Sequence, residues 1–288
     1  MHALLLYGAK GSGKNALARL LSQAWLCQHP GEDGADGTCR ACGAFARGTS
    51  ADFLYIGPTG PSSIIRVAAI VESKDKDKDD PVPLLEFFRT PPLMARHKVV
   101  MIEQAHRMNR DAFNSLLKTL EEPHPHARIV LTTDMISAVP ATILSRCLGV
   151  ACELPTHEEM VRLYPEATPA DLLLSEGAPG RTAHVLAHAD RYRAIYEFAE
   201  SLPTRSPGGA LVASEQFRSI CEGIEKALGC GARAAQAEAL ETLAIALSRS
   251  KTADPRWSQK VLEAHRRVVG NASIGLALDA LFTGILAR

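Results

Sequence analysis

The chain opens with an apolar run, Ala3-Leu4-Leu5-Leu6-Tyr7, then Gly8-Ala9-Lys10-Gly11-Ser12-Gly13-Lys14-Asn15, then the apolar-periodic stretch Asn15 to Leu21. Strand, Gly-rich loop and helix in that order constrain the fold more than any other feature of the sequence. Glycines at 8, 11 and 13 let the backbone curl so that its N–H groups converge on phosphate oxygens, and the following helix adds its positive end. Lys14 adds a point charge, and Ser12 lies inside the loop. The last position departs from the P-loop pattern: a Ser or Thr hydroxyl is needed there to ligate Mg²⁺, and Asn15 offers only a neutral amide. The stretch reads as a nucleotide-binding loop poorly equipped for metal-assisted hydrolysis; a strand-to-helix turn without ligand is the plainer alternative.

The 288 residues are enough for about two domains with a substantial core. Lys plus Arg and Asp plus Glu number 32 each, so no global basic field draws in nucleic acid, and any such contact is a local patch or belongs to a partner. No apolar run reaches the roughly 18 residues of a membrane span, and no leader pattern precedes a cleavage site. Seven cysteines, an odd number that includes a Cys-x-x-Cys, do not form a secreted disulfide framework, so a cytoplasmic setting is expected.

Cys39 and Cys42 can grip one tetrahedral ion, Cys27 can supply a third ligand, and Asp36 stands where a fourth is convenient. Reduced cysteines without metal and a redox pair are the competing readings. Further strands are expected at Asp52–Gly57, Lys98–Gln104, Ala127–Asp134 and Val150–Pro155, with helices at Ile64–Val71, around Leu84–Phe88 and at Asn109–Glu122. Leu17, Leu20, Leu21 and Trp25 mark the apolar face of the first helix. The alternating charges of Ser73–Pro81 read as a solvated loop. Glu103 ends the third expected strand, where a carboxylate can hold Mg²⁺ beside the loop, but the next residue, Gln104, has no carboxylate to activate water.

Alternating strands and helices specify a mostly parallel sheet covered on both faces. Beyond about residue 156 strand-like runs cease and the chain reads as helical. The fold class is therefore α/β plus all-α. Pro203–Gly209 reads as a linker, with Leu240, Leu243, Leu247, Val261, Leu262, Val268, Leu276, Leu278 and Leu281 as bundle core.

Asn114-Ser115-Leu116-Leu117-Lys118-Thr119-Leu120-Glu121-Glu122-Pro123, together with Ser145-Arg146-Cys147 and the Gly-x-Pro-Gly-Arg turn ending at Arg181, resembles the delta prime family of bacterial DNA polymerase III clamp-loader subunits over nearly the whole chain. The resemblance implies an AAA+ P-loop parallel-sheet domain over 1–155 with a cysteine-rich insertion at 27–42, a small helical lid domain over 156–204 and a C-terminal helical collar over 205–288. It implies that Arg146 is an arginine finger acting on a neighbour's ATP site. Thr133 and Asp134 fall at sensor 1 and Arg181 at sensor 2. Cys27, Cys39 and Cys42 match three zinc ligands, and Asp36 replaces the fourth cysteine. The family carries a short segment before the first strand, so a trimmed or misassigned start is expected here. The implied cofactors are Zn²⁺ and bound ATP or ADP. The implied partners are the gamma or tau and delta subunits, with the sliding clamp and primer-template DNA reached through the assembled loader. A largely non-hydrolytic subunit is the leading expectation. An active gamma-type ATPase is the alternative, and a small-molecule P-loop kinase, which has no use for the helical tail, stands far behind both.

Overall fold

The computed structural model describes residues 2–59, 63–72, 82–270 and 272–287; the charge run 73–81 lies outside the described residues. The chain divides into two compact units, Met1–Leu154 and Pro155–Arg288.

The first unit contains β1 (Ala3–Tyr7), α1 (Lys14–Leu26), α2 (Arg40–Ala46), β2 (Phe53–Ile56), α3 (Leu84–Arg89), β3 (Lys98–Ile102), α4 (Arg110–Glu121), β4 (Ala127–Thr133), α5 (Ala141–Leu144) and β5 (Leu148–Ala151). Its five strands form one parallel sheet in the order β2-β3-β4-β1-β5. Apolar residues run without interruption from Val99 to Ile102 in β3 because both faces of a parallel sheet are covered. Side chains alternate between the faces. Leu5, Val100, Ile102, Ile129 and Leu131 pack on one side with Phe88, Phe113 and Leu116, while Leu4, Leu6, Met101 and Val130 pack on the other with Ala18. Each such buried side chain contributes roughly 1.5–3 kcal/mol over its exposed state. Asn109 starts α4 by accepting the Ala112 N–H at 2.9 Å, and the helix stops before Pro123.

Four expectations need correction. The last strand, expected over Val150–Pro155, runs over Leu148–Ala151, because its partner β1 ends at Tyr7, opposite Ala151. The stretch Ile64–Val71 is not a helix: only a single 3-10 turn, Val67–Ala69, forms, because Ile64 and Ile65 bridge to Thr59 and Met108. The buried face of α1 is Lys14, Ala18, Ser22 and Leu26, leaving Leu17 and Leu20 exposed at 37% and 63%. Lys14 must point into the loop, and that requirement fixes the helical phase, so residues at successive four-residue steps from it face the sheet. In the second unit Leu262 and Leu276 lie outside the core.

That second unit is helical throughout: α6 (His157–Leu163), α7 (Pro169–Leu174), α8 (Pro179–Ala187), α9 (Ala189–Ser201), α10 (Ala210–Leu228), α11 (Ala232–Arg249), α12 (Arg256–Val269) and α13 (Ile274–Leu286). Thr156 with Glu159 and Thr168 with Asp171 form capping boxes that start α6 and α7. Pro203–Gly209 takes the form of 3-10 turns. Side chains from both sides of it, Val185 and Ile195 before and Phe217 and Leu243 after, belong to one core cluster. Phe198, Phe217 and Phe282 meet at its centre with ring centroids 5.3–5.5 Å apart.

Candidate phosphate-binding loop and cysteine cluster

The loop after β1 has the conformation its glycines permit. Gly8, Gly11 and Gly13 have φ of 156°, 80° and 87°, and Gly13 precedes α1 in the left-handed region. A Cβ on Gly8 would lie 2.2 Å from the Cys152 carbonyl oxygen, so the backbones of β1 and the segment after β5 can approach only with glycine there.

Lys14 is buried, and its ammonium turns back into the loop. Nζ donates to the Gly8 carbonyl at 3.0 Å, the Ala9 carbonyl at 2.6 Å and Ser12 Oγ at 3.4 Å, and it pairs with Asp134 Oδ1 at 2.6 Å. Asp134 directly follows β4, the neighbour of β1 in the sheet, so sheet order brings the two charges together. A phosphate entering the loop would compete with this carboxylate for the same ammonium.

Glu103, just beyond β3, has both oxygens engaged. Asn15 Nδ2 donates to Oε1 at 2.5 Å and the Tyr55 hydroxyl donates to Oε2 at 2.5 Å. Partial burial, together with the Glu103 carboxylate, pushes the Tyr55 phenol up to about 12, so the hydroxyl stays a donor. This donor set does not fit Mg²⁺: the carboxylate is spent twice, and the amide that replaces a hydroxyl presents hydrogens toward it. Gln104 adopts a left-handed conformation at φ 51° and its N–H donates to Thr132 Oγ1 at 3.3 Å. Thr133 Oγ1 accepts the Met135 N–H at 3.1 Å and meets His106 Nδ1 at 3.0 Å; burial holds the His106 imidazole below its ordinary value.

The structure thus gathers Gly8, Gly11, Ser12, Gly13, Lys14, Asn15, Glu103 and Asp134 around one loop, and adds Tyr55, which sequence reasoning missed. Tyr55 pairs in register with Met101, two residues before Glu103 and on the same face of the sheet. The pairing of β2 with β3 is the signal, and it becomes visible only once strand order is known.

Arg146 lies outside this cluster. Its guanidinium pairs with Glu121 Oε1 at the end of α4 at 2.6 Å and donates to the Thr142 carbonyl at 2.9 Å and Ser145 Oγ at 3.1 Å, with about a third of the side chain exposed. Arg181, in the helical unit, donates to the Leu174 carbonyl at 3.0 Å and pairs with Glu241 at 3.0 Å and Glu238 at 3.8 Å, both on α11.

Cys27, Asp36, Cys39 and Cys42 bring one ligand atom each within 4.8 Å of one another. The Cys27 and Cys39 sulfurs are 4.0 Å apart, close to the ~3.8 Å that a tetrahedral ion with ~2.3 Å zinc–sulfur bonds requires. Burial pushes the Cys39 thiol up, but the N–H groups of Gln28 and Cys42 outweigh it and hold the thiol below its ordinary value. Cys42 goes the other way, to about 12, through burial and the neighbouring sulfurs. Asp36 is held well below the usual carboxylate range by the Cys39 and Thr38 N–H groups. Three soft sulfurs and one carboxylate suit Zn²⁺, which on binding would keep the thiolates deprotonated and close the insertion into one piece.

A family model described as "DNA polymerase III, delta subunit" matches residues 1–155. The chain is 38% identical over 186 residues to DNA polymerase III subunit delta' of Pseudomonas aeruginosa, covering 62% of this chain and 53% of that one. It is 35% identical over 240 residues to DNA polymerase III subunit tau of Salmonella typhimurium, covering 79% of this chain and 35% of that one. The chain therefore spans about half the length of the first relative and about a third of the second. Among solved structures, a DNA polymerase III gamma subunit-related protein of Thermotoga maritima shares the fold with a TM-score of 0.56 at 18% identity, over 100% of this chain and 95% of that one.

Proposed function

The chain belongs to the DNA polymerase III delta-subunit family, and from that premise we propose that it is a delta prime-like subunit of the bacterial clamp loader, which helps place the sliding clamp on primed DNA. It holds the geometry of an assembly with gamma or tau and delta subunits and presents Arg146 to a neighbouring ATPase subunit. The observation that carries this reading is the double occupation of Glu103 by Asn15 and Tyr55 beside a Lys14 already paired with Asp134. Groups that would hold metal and phosphate in an active ATPase are bound to one another instead, whereas Arg146, paired with Glu121, is about a third exposed and lies apart from them. Nucleotide can enter the loop by displacing Asp134 from Lys14, so ATP or ADP serves as an occupant of this site and its turnover belongs to a neighbour. Zinc bound by Cys27, Asp36, Cys39 and Cys42 braces the insertion.

The test is ATP turnover of a loader reconstituted with gamma or tau and delta subunits. A transition-state arginine contributes about 10³–10⁵ in rate at the site it serves, so Arg146→Ala should abolish the contribution of one interface. Unchanged turnover overturns the proposal. A second reading, an active gamma- or tau-like ATPase, draws on the similarity to tau over 79% of the chain. Hydrolysis by the purified chain that is lost in Lys14→Ala would favour it.

A further inference from the structure

Within the helical unit, side chains of α10, α11 and α13 line a cavity of about 200 Å³. Buried Leu278 and Cys221 with half-buried Ile274 give it an apolar surface, and α10 brings the carboxylates of Glu222 and Glu225 to it. We propose that this cavity binds a small organic ammonium ion, its cation meeting the Gln236 carbonyl and the two carboxylates and its carbon chain lying on Ile274 and Leu278.

Gln236, on the second turn of α11, is the group that points to a ligand. The residue is 1% exposed and lines the cavity. Its amide has a fixed sense, because Nε2 donates to the Ile274 carbonyl at 3.5 Å and Oε1 must face the other way. That Oε1 is buried and has no hydrogen-bond partner. A buried acceptor left unmet costs folding free energy, so one kept in a cavity wall marks the place of a donor from outside the chain.

Charge decides which donor. Glu222 and Glu225 form no ion pair among the described residues. The guanidinium in the wall, Arg218, is already committed: Nη2 pairs with Asp279 Oδ1 at 2.6 Å and donates to the Gly275 carbonyl at 3.2 Å. The Ser214 hydroxyl donates to the same Asp279 oxygen at 2.6 Å. Carboxylates therefore outnumber cations around the cavity, and the excess is felt inside it. Burial, with a smaller push from the Glu222 carboxylate, raises the Cys221 thiol to about 12. A cationic donor gains from both carboxylates, where a neutral donor meets only the Gln236 carbonyl.

A second unmet group refines the ligand. Arg218 Nε is buried without an acceptor, so an oxygen elsewhere on the same molecule would find a donor waiting. At about 30 Å³ per small group the cavity holds roughly seven non-hydrogen atoms, the size of an amino alcohol such as aminopentanol.

The experiment is isothermal titration calorimetry of the intact chain with aminopentanol in amine-free phosphate buffer, with pentanediol and pentanoate as neutral and anionic probes of like size. Aminopentanol should bind saturably with a dissociation constant of about 1 mM, and the other two at least about tenfold more weakly. Glu222→Gln/Glu225→Gln, on side chains outside the core, should weaken aminopentanol at least about fivefold and leave pentanediol unchanged. Gln236→Met, which keeps the volume and removes the carbonyl, should weaken it about tenfold. Circular dichroism melts establish that both variants are folded. Nα-acetyl-lysine amide separates two sources of the same chemistry: tighter binding than aminopentanol assigns the cavity to a lysine side chain of a partner, weaker binding to a free amine. Absence of saturable binding by the wild type, equal binding of the three small probes, or unchanged affinity in the folded Glu222→Gln/Glu225→Gln chain overturns the proposal.

Discussion

Asn15 and Glu103 are joined side chain to side chain at 2.5 Å, tying the first residues of α1 to the end of β3. In a working P-loop ATPase these two positions are linked through a metal ion; here they bond directly. Asn15→Ala and Tyr55→Phe should each cost about 0.5–1.5 kcal/mol of unfolding free energy, nearer the lower figure because both side chains are exposed. In urea denaturation the double variant should lose less than the sum of the two, since both bonds end on one carboxylate. Strict additivity would mean that the two donors do not share Glu103.

Gly8 and Gly13 separate two kinds of glycine requirement. Gly13→Ala meets open space and suffers only from its left-handed φ, about 1–2 kcal/mol. Gly8→Ala meets the Cys152 carbonyl at 2.2 Å and should cost more, at least about 2 kcal/mol, with β1 and β5 forced apart. Thermal unfolding of the two variants side by side checks the order.

Replacing Asp36 by cysteine completes a four-thiolate set, and zinc affinity should rise by about an order of magnitude or more. Cys39→Ser should lower it, and competition with a chromogenic chelator reads both. Equal affinity for the wild type and Asp36→Cys would show that position 36 does not ligate. Stripping the metal should lower the thermal midpoint, because binding to the folded insertion is folding free energy.

Asp171 in the helical unit is fully buried and accepts two bonds from Arg193 and one from the Thr168 hydroxyl. Burial raises its pKa, but Arg193 and Thr168 outweigh that and hold it below its ordinary value. A depressed carboxyl contributes stability that is present above its unfolded pKa of about 3.9 and lost as pH falls through the folded value. Arg193→Ala removes two of the hydrogen bonds to Asp171 and leaves those from Thr168, so stability should fall at neutral pH, with the deficit shrinking in acid as Asp171 protonates in both states. A penalty that stays constant down to acid pH would exclude the ion pair as its source.

Much of the phosphate loop is legible in the sequence, because glycines that need unusual φ and a lysine at a fixed offset are local requirements. So are the positions of the first four strands and of the helix after Asn109. What the sequence hides is pairing across the sheet. Lys14 finds Asp134 because β4 lies beside β1, and Glu103 finds Tyr55 because β2 lies beside β3. Leu17 and Leu20 mislead for a related reason: apolar spacing identifies a helix, but the phase of α1 is set by where Lys14 must point. At Leu262 and Leu276, helical spacing was satisfied by positions that the bundle turns outward.

Strand β5 is only four residues long, with Arg146 two positions before it and Cys152 immediately after. At about 3.3 Å per residue it is a rod of roughly 13 Å, and a paired strand does not stretch. One end presses its carbonyl against Gly8 and the other carries the guanidinium held by Glu121. The loop at Gly8 and the Arg146 guanidinium thus sit at the two ends of one unyielding element, and under the proposed role a shift at either end would be felt at the other.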